Sequence, residues 1–271
     1  MNIEENYKFT DGRNIWRLLI SEADKLVVET RETESKEVFF HCMNVNTGDK
    51  VFENFQLDEK FWVGIETVKE GKIFFHKYAK PDMPGHKQLI AFDINEQKIV
   101  WESDEYTFLF YFQGKIFGYS NAFEGRRFYS VNAKTGELLD DLGTDADKIN
   151  ELRELARNDE DYSKYFFTQK LFEEPALASV LLNHYPADKI VRDVEFIDLG
   201  DTVLFNYHSR LPNKKMKNIF KMLYKPTDTI IFEQVLNEEA NNYAPDSFFI
   251  YKNLLLMISE KKELLVYKLS K

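Results

Sequence analysis

Cysteine is nearly absent. Cys42 stands alone among 271 residues, so no disulfide can form within the chain and no cysteine-rich metal site exists. Positive charge is also in short supply. With 36 basic against 46 acidic residues the formal charge is −10, which argues against nucleic acid or an anionic membrane as a partner; solubility is reason enough for the acidic excess. No stretch approaches the roughly 20 consecutive apolar residues of a membrane span. The opening Met1-Asn2-Ile3-Glu4-Glu5-Asn6 lacks both the basic and the apolar segment of a secretory signal. A reducing cytoplasm is the expected location. A Gly-x-Ser-x-Gly elbow, a phosphate-binding P-loop and a dinucleotide fingerprint are missing too.

What is present favours sheet. Glycine is scarce at 11, whereas Phe (24) and Tyr (14) are plentiful, and aromatic side chains suit half-buried pleated surfaces. At 44% hydrophobic and 30% charged, the composition is that of a folded globular chain and not of a disordered one.

The sequence also repeats itself. Asn44-Val45-Asn46-Thr47-Gly48-Asp49-Lys50-Val51-Phe52 aligns without a gap with Asp93 to Trp101 and with Asn132 to Asp140, and a worn copy runs from Tyr224 to Phe232. Each copy joins two apolar strands through a polar turn, where Gly48 and Gly136 supply positive φ without steric cost. The starts are 49, 39 and 92 residues apart, which points to a unit of about 45 residues, the period of propeller blades. A second landmark recurs between the first two strands of each unit, at Asp24-Lys25, Gly71-Lys72, Gly114-Lys115, Gly200-Asp201 and Lys252-Asn253. Short polar turns between apolar runs read as β-hairpins.

These landmarks predict an all-β fold: a five-bladed β-propeller spanning residues 1–271 as a single domain. The fifth unit offers only three strands before the chain stops. Glu5–Thr10, with Tyr7 and Phe9 alternating against polar neighbours, is expected to add the missing outer strand and close the ring, because an unfinished array leaves sheet edges unpaired. Residues 143–190 break the pattern. Thr144 with Asp147 resembles a capping box, and Ile149, Leu152, Leu155 and Ala156 fall on one helical face. A helical insertion between blades three and four is expected there.

The Asn/Asp-x-x-Thr-Gly turns resemble those of the quinoprotein-like β-propellers, whose blades carry an Ala-x-Asp-x-x-Thr-Gly-x-x-x-Trp pattern. Here the matches are Ala91-Phe92-Asp93 with Trp101, and Asn132 through Gly136. The chain also resembles an uncharacterised bacterial family of unknown function, on the pieces Ile15-Trp16-Arg17-Leu18-Leu19-Ile20, Phe61-Trp62-Val63-Gly64-Ile65-Glu66, and His76-Lys77-Tyr78 followed by Pro84-Gly85-His86-Lys87. That family brings no activity with it. Cofactor-binding quinoproteins usually have more blades and, in many dehydrogenases, an adjacent cysteine pair. With one cysteine and five blades, no cofactor is expected.

Blade two is the richest place for a ligand. Trp62, Gly64 and Glu66 share one face of its first strand by the period of two, His76 and Tyr78 share a face of the next, and His86 and Lys87 lie in the loop beyond. A carboxylate and imidazoles beside an aromatic wall suit a polar ligand or proton transfer. The plainer alternative is that Trp62 packs between blades and His76 caps an exposed strand. Blade four adds Glu195 and His208 to the candidates, with Asp193 and Asp198 nearby. The five histidines at 41, 76, 86, 184 and 208 form no His-x-His or His-x-x-x-His pair, so no metal site is expected from spacing; one would need tertiary convergence. A sugar-like substrate needs two carboxyls across the scissile bond. Glu66 with a blade-four acid is the available pair, which makes a hydrolase or lyase the alternative to a non-catalytic scaffold. The one basic patch, Arg210 to Lys217, is a solvated loop or a docking site for an acidic partner. The expected partner is an unknown protein or small polar ligand, and the expected state is a monomer.

Overall fold

The structure is a computed structural model and describes residues 1–80, 83–123 and 125–270. Lys271, the last residue of the expected domain, lies outside the described residues. Side chains that alternate between interior and solvent shape most of the chain into antiparallel strands, and among the described residues these strands form five sheets. The chain divides into two compact units, Arg13–Asp161 and Met1–Gly12 with Tyr162–Lys271.

The 13–161 unit holds three four-stranded sheets, each an up-and-down run of consecutive strands. The first comprises Asn14–Ile20, Lys25–Glu32, Glu37–Asn44 and Lys50–Phe55. The second comprises Val63–Lys69, Lys72–Lys80, Met83–Asp93 and Lys98–Ser103. Thr107–Phe112, Lys115–Ala122, Gly125–Asn132 and Leu138–Gly143 make the third. Central strands bury both faces, so Lys25–Glu32 is buried along nearly its whole length. The abundance of phenylalanine fills the space between sheets. Phe40, Phe52, Phe75 and Phe92 pack with Val27 and Ile65 in one core, with the Phe40 and Phe75 ring centroids 4.6 Å apart. Phe74, Leu89, Ile116 and Val131 fill the next. Rings of this size carry much of the apolar area removed from water.

The other unit holds two five-stranded sheets. In one, Glu195–Asp198, Thr202–Arg210, Met216–Tyr224 and Thr229–Ala240 follow the same order. In the other, Phe248–Tyr251, Leu254–Ser259 and Glu263–Ser270 are joined by the amino-terminal strand Asn2–Phe9, with Asn2 opposite Ser270 and Phe9 opposite Leu264. The strand expected at Glu5–Thr10 thus starts three residues earlier and sits where the missing fourth strand belongs. Phe220, Phe248, Leu255 and Met257 form the core shared by the two sheets.

The repeat is written in the backbone. At the fifth position of the four recurring turns, Gly48, Gln97, Gly136 and Asp228 have φ of +76°, +52°, +74° and +50°. Two of these are not glycine, yet they adopt the same left-handed conformation. The first residue of three copies closes an Asx turn: Asn44, Asp93 and Asn132 each accept from the N–H two residues on. The second residue then donates to the hairpin turn of its own sheet. Val45 reaches the Asp24 carbonyl, Ile94 reaches Gly71, Ala133 reaches Gly114 and Lys225 reaches Asp201; Leu269 to Asn253 repeats the bond in the fifth sheet.

The segment from 143 to 190 departs in part from the sequence reading. Its helix, Ala146–Asp159, is capped by Asp145 and not by Thr144. The Asp145 carboxylate accepts from the N–H groups of Asp147 and Lys148, a charge-assisted cap stronger than a hydroxyl. Ile149 and Ala156 are buried against Phe110, Phe117 and Phe128, with Leu152 beside them, whereas Leu155 points outward at 55% exposure. A second helix follows at Pro175–Leu181. Two short pieces join the sheets: Tyr165–Phe166 pairs with Phe248–Tyr251, and Gln169–Lys170 with Glu195–Asp198. The part of this segment after Asp161 therefore lends one strand to each sheet of the second unit.

Trp101, at the end of the second turn motif, docks on the third. Its Nε1 donates to the Ala133 carbonyl at 3.1 Å, and a Cβ at Gly136 would lie 2.7 Å from its indole. Gly136→Ala is expected to lower unfolding stability by about 1–3 kcal/mol, combining a strained φ with a clash. Gly71→Ala, at φ +71° with nothing within 4 Å of the new Cβ, is expected to lose only the backbone part. Denaturant unfolding of both variants checks this; equal losses would remove the Trp101 contact as the cause.

Candidate functional site

The first strand of each sheet in the 13–161 unit carries a register shift that leaves one residue without a cross-strand partner: Trp16 in the first, Glu66 in the second and Leu109 in the third. A bulge of this kind bends the strand and re-aims a side chain. In the second sheet the bulged residue is a carboxylate. Glu66 Oε1 lies 2.7 Å from His86 Nδ1, a hydrogen bond, and 3.0 Å from His76 Nδ1. The two imidazoles stack face to face with centroids 3.5 Å apart and planes 5° from parallel.

His76 and His86 come from neighbouring strands, Lys72–Lys80 and Met83–Asp93. His86 is therefore on a strand and not in the loop expected from Pro84-Gly85. The pairing carries a register shift between Tyr78 and Lys80. Pairing of Tyr78 with His86 then sets the two rings one above the other. Thr107 of the adjoining sheet fixes the His86 backbone by donating its hydroxyl to the His86 carbonyl at 3.2 Å.

The environment of the trio is uneven. His76 is 2% exposed, so it does not cap an exposed strand. Its Nδ1 approaches Glu66 at ion-pair distance but out of line for a hydrogen bond, and neither ring nitrogen has a hydrogen-bond partner. Gly64 makes room for it, since a Cβ there would sit 3.0 Å from His76 Cε1. His86 is about one-third exposed. Burial alone would raise the Glu66 carboxyl, but the facing His76 and His86 rings outweigh it and hold the group below its usual range. Burial pushes the His76 imidazole down, against the pull of Glu66; His86 and Arg17 add to the lowering.

Aromatic rings wall the corner. Tyr78 stands edge-on to both imidazoles, at 5.0 Å from His76 and 5.4 Å from His86, and Trp62 is edge-on to Tyr78 at 6.1 Å. Lys87 is exposed, opposite Lys77 on the strand pair. Behind Gly64 lies a buried ion pair that sequence reasoning passed over. Arg31 bonds Glu29 and the Val63 carbonyl, both at 2.7 Å, while Arg17 bonds the Ile65 carbonyl. Together they pin the backbone on both sides of Gly64. The signal was present in the strand Leu26-Val27-Val28-Glu29-Thr30-Arg31: two opposite charges inside a run otherwise suited to burial.

Glu195 and His208 belong to the other unit and form a separate buried polar cluster there. Glu195 accepts from the Tyr243 hydroxyl at 3.0 Å and from the Asp246 N–H, and burial raises its carboxyl pKa. The His208 ring packs 4.4 Å from Tyr243. Its Nε2 accepts from the Ala244 N–H at 3.3 Å, while Nδ1 is left without a partner. Beside it Asn206, Asn218 and Ser247 form a hydrogen-bonded chain. The remaining histidines are otherwise engaged: His41 bonds the Thr30 hydroxyl in the core and His184 pairs with Asp228. In the basic patch, Lys215 and Lys217 pair with Glu239 and Glu238. Among the described residues, Glu66, His76 and His86 are the one group of three or more such side chains able to hold a metal ion, their ligand atoms all within 4.8 Å of one another. No helix among the described residues is long and apolar enough to cross a membrane.

Comparison with known proteins places residues 20–101 under a family described as "Domain of unknown function (DUF4905)", a stretch that takes in the last three strands of the first sheet and most of the second. No curated protein matches by sequence. Similar solved structures include the quinohemoprotein alcohol dehydrogenase of Comamonas testosteroni, at 11% identity and TM-score 0.33, with 97% of this chain and 41% of that one covered. An uncharacterized protein of Listeria monocytogenes shows 12% identity and TM-score 0.32, over 93% and 82% of the two chains. The β-propeller domain of the Trilobed protease from Pyrococcus furiosus, described as having an open velcro topology, shows 12% identity and TM-score 0.32, over 97% and 67%. The chain thus spans less than half the length of the dehydrogenase. At these scores the likeness carries no activity across.

Burial pushes the His208 imidazole down to about 4. Its folded pKa therefore lies below the unfolded value of about 6.5, and between these the unfolded chain binds the extra proton. The stability from a neutral His208 is full above pH 6.5 and is lost as the pH falls toward 4, by up to about 3 kcal/mol. His208→Asn is expected to show a shallower loss of unfolding free energy between pH 7 and pH 4 than the parent chain. Parallel curves in urea titrations would show that His208 stays uncharged for no such reason.

Proposed function

We propose that the chain is a single five-bladed β-propeller, closed by its amino-terminal strand, that acts as a non-catalytic binding module for a protein or small polar ligand. The two-unit division leaves the ring itself as part of this proposal. Its support is the fivefold recurrence of one backbone bond between turns and the pairing of Asn2–Phe9 with Glu263–Ser270, which leaves no sheet short of a fourth strand. A cytoplasmic monomer fits the single cysteine and the acidic charge.

The binding site on this reading is the Glu66, His76 and His86 corner, walled by Trp62 and Tyr78. One observation carries it: a bulge turns a carboxylate onto two stacked imidazoles, one buried and one reaching solvent. Carboxylate, imidazole and aromatic faces are recognition groups for a polar ligand, and the scaffold brings no complete catalytic motif with them. Function on such folds lies in the grafted site.

A hydrolase or lyase acting on a sugar-like substrate is the second reading. Glu195 is the observation in its favour, since a carboxyl raised by burial is a proton donor in waiting. Glu195→Gln without loss of any glycoside-cleaving activity found in the purified protein would discard it.

The binding reading is tested by affinity capture with the parent chain and a Trp62→Ala/Glu66→Ala double variant. The variant is expected to retain its circular dichroism spectrum and to lose captured partners by tenfold or more. Unchanged partners would eliminate this corner as the binding surface.

A further inference from the structure

Resting on the reading of the same corner as the binding site, we propose that Glu66, His76 and His86 ligate a divalent transition-metal ion, with zinc as the matching probe. Two imidazoles and one carboxylate form a donor set used by zinc and by other first-row ions. Nothing in chain spacing announces it, because residues 66, 76 and 86 stand on three successive strands; the ladder alone brings them together.

The dimensions suit an ion. At metal–ligand bonds of about 2.1 Å, tetrahedral ligand atoms lie roughly 3.4 Å apart. The Glu66 oxygen is already 2.7 and 3.0 Å from the two Nδ1 atoms, slightly closer than an ion would hold them. An inserted cation would push the three apart by a few tenths of an ångström and remove the crowding.

His76 supplies the independent sign. It is 2% exposed, yet neither ring nitrogen makes a hydrogen bond. A buried imidazole normally finds partners for both nitrogens. Here Nδ1 instead faces Glu66 and the second imidazole, the position of a ligand atom. The backbone around it is held firm: Gly64 lies against the ring, Arg31 and Arg17 pin the carbonyls of Val63 and Ile65, and Thr107 holds the carbonyl of His86.

One movement is required. Parallel stacked rings direct their lone pairs side by side, not toward a common point, so one ring has to turn. His86 is the ring free to do so, being one-third exposed while His76 is enclosed. Three protein ligands leave at least one coordination position open on the His86 side. A carboxylate or imidazole of the bound partner would complete the sphere there, which gives the corner a chemical basis for selection.

The test uses the full chain, freed of metal by a chelator and titrated with zinc by calorimetry and with cobalt(II) by its visible absorption. One ion per chain is expected, with a cobalt spectrum of low coordination number. His86→Ala and Glu66→Gln are each expected to weaken zinc binding by tenfold or more. His184→Ala, which removes a surface histidine paired with Asp228, is expected to leave it unchanged. Unfolding curves of the His86→Ala protein in chelator should match the parent, so a folding defect is read separately. Absence of stoichiometric binding, or equal affinity in His86→Ala and parent, would overturn the metal site. The binding reading fails separately: zinc bound with no partner sensitive to Trp62 or Glu66 keeps the metal and removes the module, and the reverse result keeps the module without metal.

Discussion

A single backbone hydrogen bond, made five times, holds the repeated sheets to one pattern. Val45, Ile94, Ala133, Lys225 and Leu269 each donate from the end of a third strand to the hairpin turn that opens the second. In four of the five sheets the bond joins the two turns at one end, and there the chain leaves the third strand through a left-handed residue. Gly48 and Gly136 adopt that conformation at no cost. Gln97 and Asp228 adopt it too, at about 1 kcal/mol each by the ordinary penalty for a residue with a Cβ. That the chain tolerates the penalty twice shows that the turn geometry is enforced by the sheet and not by local preference.

The same regularity positions the polar corner. Three first strands of the 13–161 unit each carry one unpaired residue, so the bulge belongs to the scaffold and exists whether or not a ligand does. What varies is the side chain placed on it. Trp16 and Leu109 give apolar surface at two bulges; Glu66 gives a carboxylate at the third. A recurrent deviation from a regular ladder in this way gathers three polar side chains by one residue choice, with His76 and His86 delivered by strand pairing alone.

How much of this was legible follows from the range over which each feature acts. The turns, the hairpins and the alternation of apolar residues are local, so the turns begun by Asn44, Asp93 and Asn132 and the hairpins at Asp24-Lys25, Gly71-Lys72 and Gly114-Lys115 are legible in the sequence. That Glu5–Thr10 would pair with the last sheet was inferred because an edge had to be satisfied, a global argument resting on a count; the strand observed there is Asn2–Phe9. Features set by competition were not legible. Asp145 displaced Thr144 as cap because a charged acceptor lay one residue away. His86 was read as loop, and only its pairing opposite Tyr78 places it on a strand. Trp62, Gly64 and Glu66 were expected on one face of a strand, but the strand starts at Val63 and the bulge at Glu66, which turns the carboxylate toward two rings, breaks the period of two. Glu29 and Arg31 do stand out as opposite charges inside an apolar run, but their partners across the sheets, the Val63 carbonyl among them, are set by tertiary packing.

The interior polar groups are where stability and recognition part. Each unit buries polar groups among phenylalanines and leucines, and each leaves atoms without a hydrogen bond: both ring nitrogens of His76 and Glu29 Oε2 in one, His208 Nδ1 and Asn206 Oδ1 in the other. An unpaired buried donor or acceptor costs about 1–3 kcal/mol, a large share of the 5–15 kcal/mol that stabilises a domain. Apolar residues of similar volume would remove that cost at either place. In the 195–247 cluster the remaining bonds, from Tyr243 to Glu195 and along Asn206, Asn218 and Ser247, hold a loop to a sheet, so a structural role balances the loss. No comparable bracing follows from His76, whose neighbours are fixed by Arg31, Arg17 and Thr107 without it. The imidazole is thus the group whose burial the fold does not need, and the proposed ligand at Glu66 would give its position a physical reason.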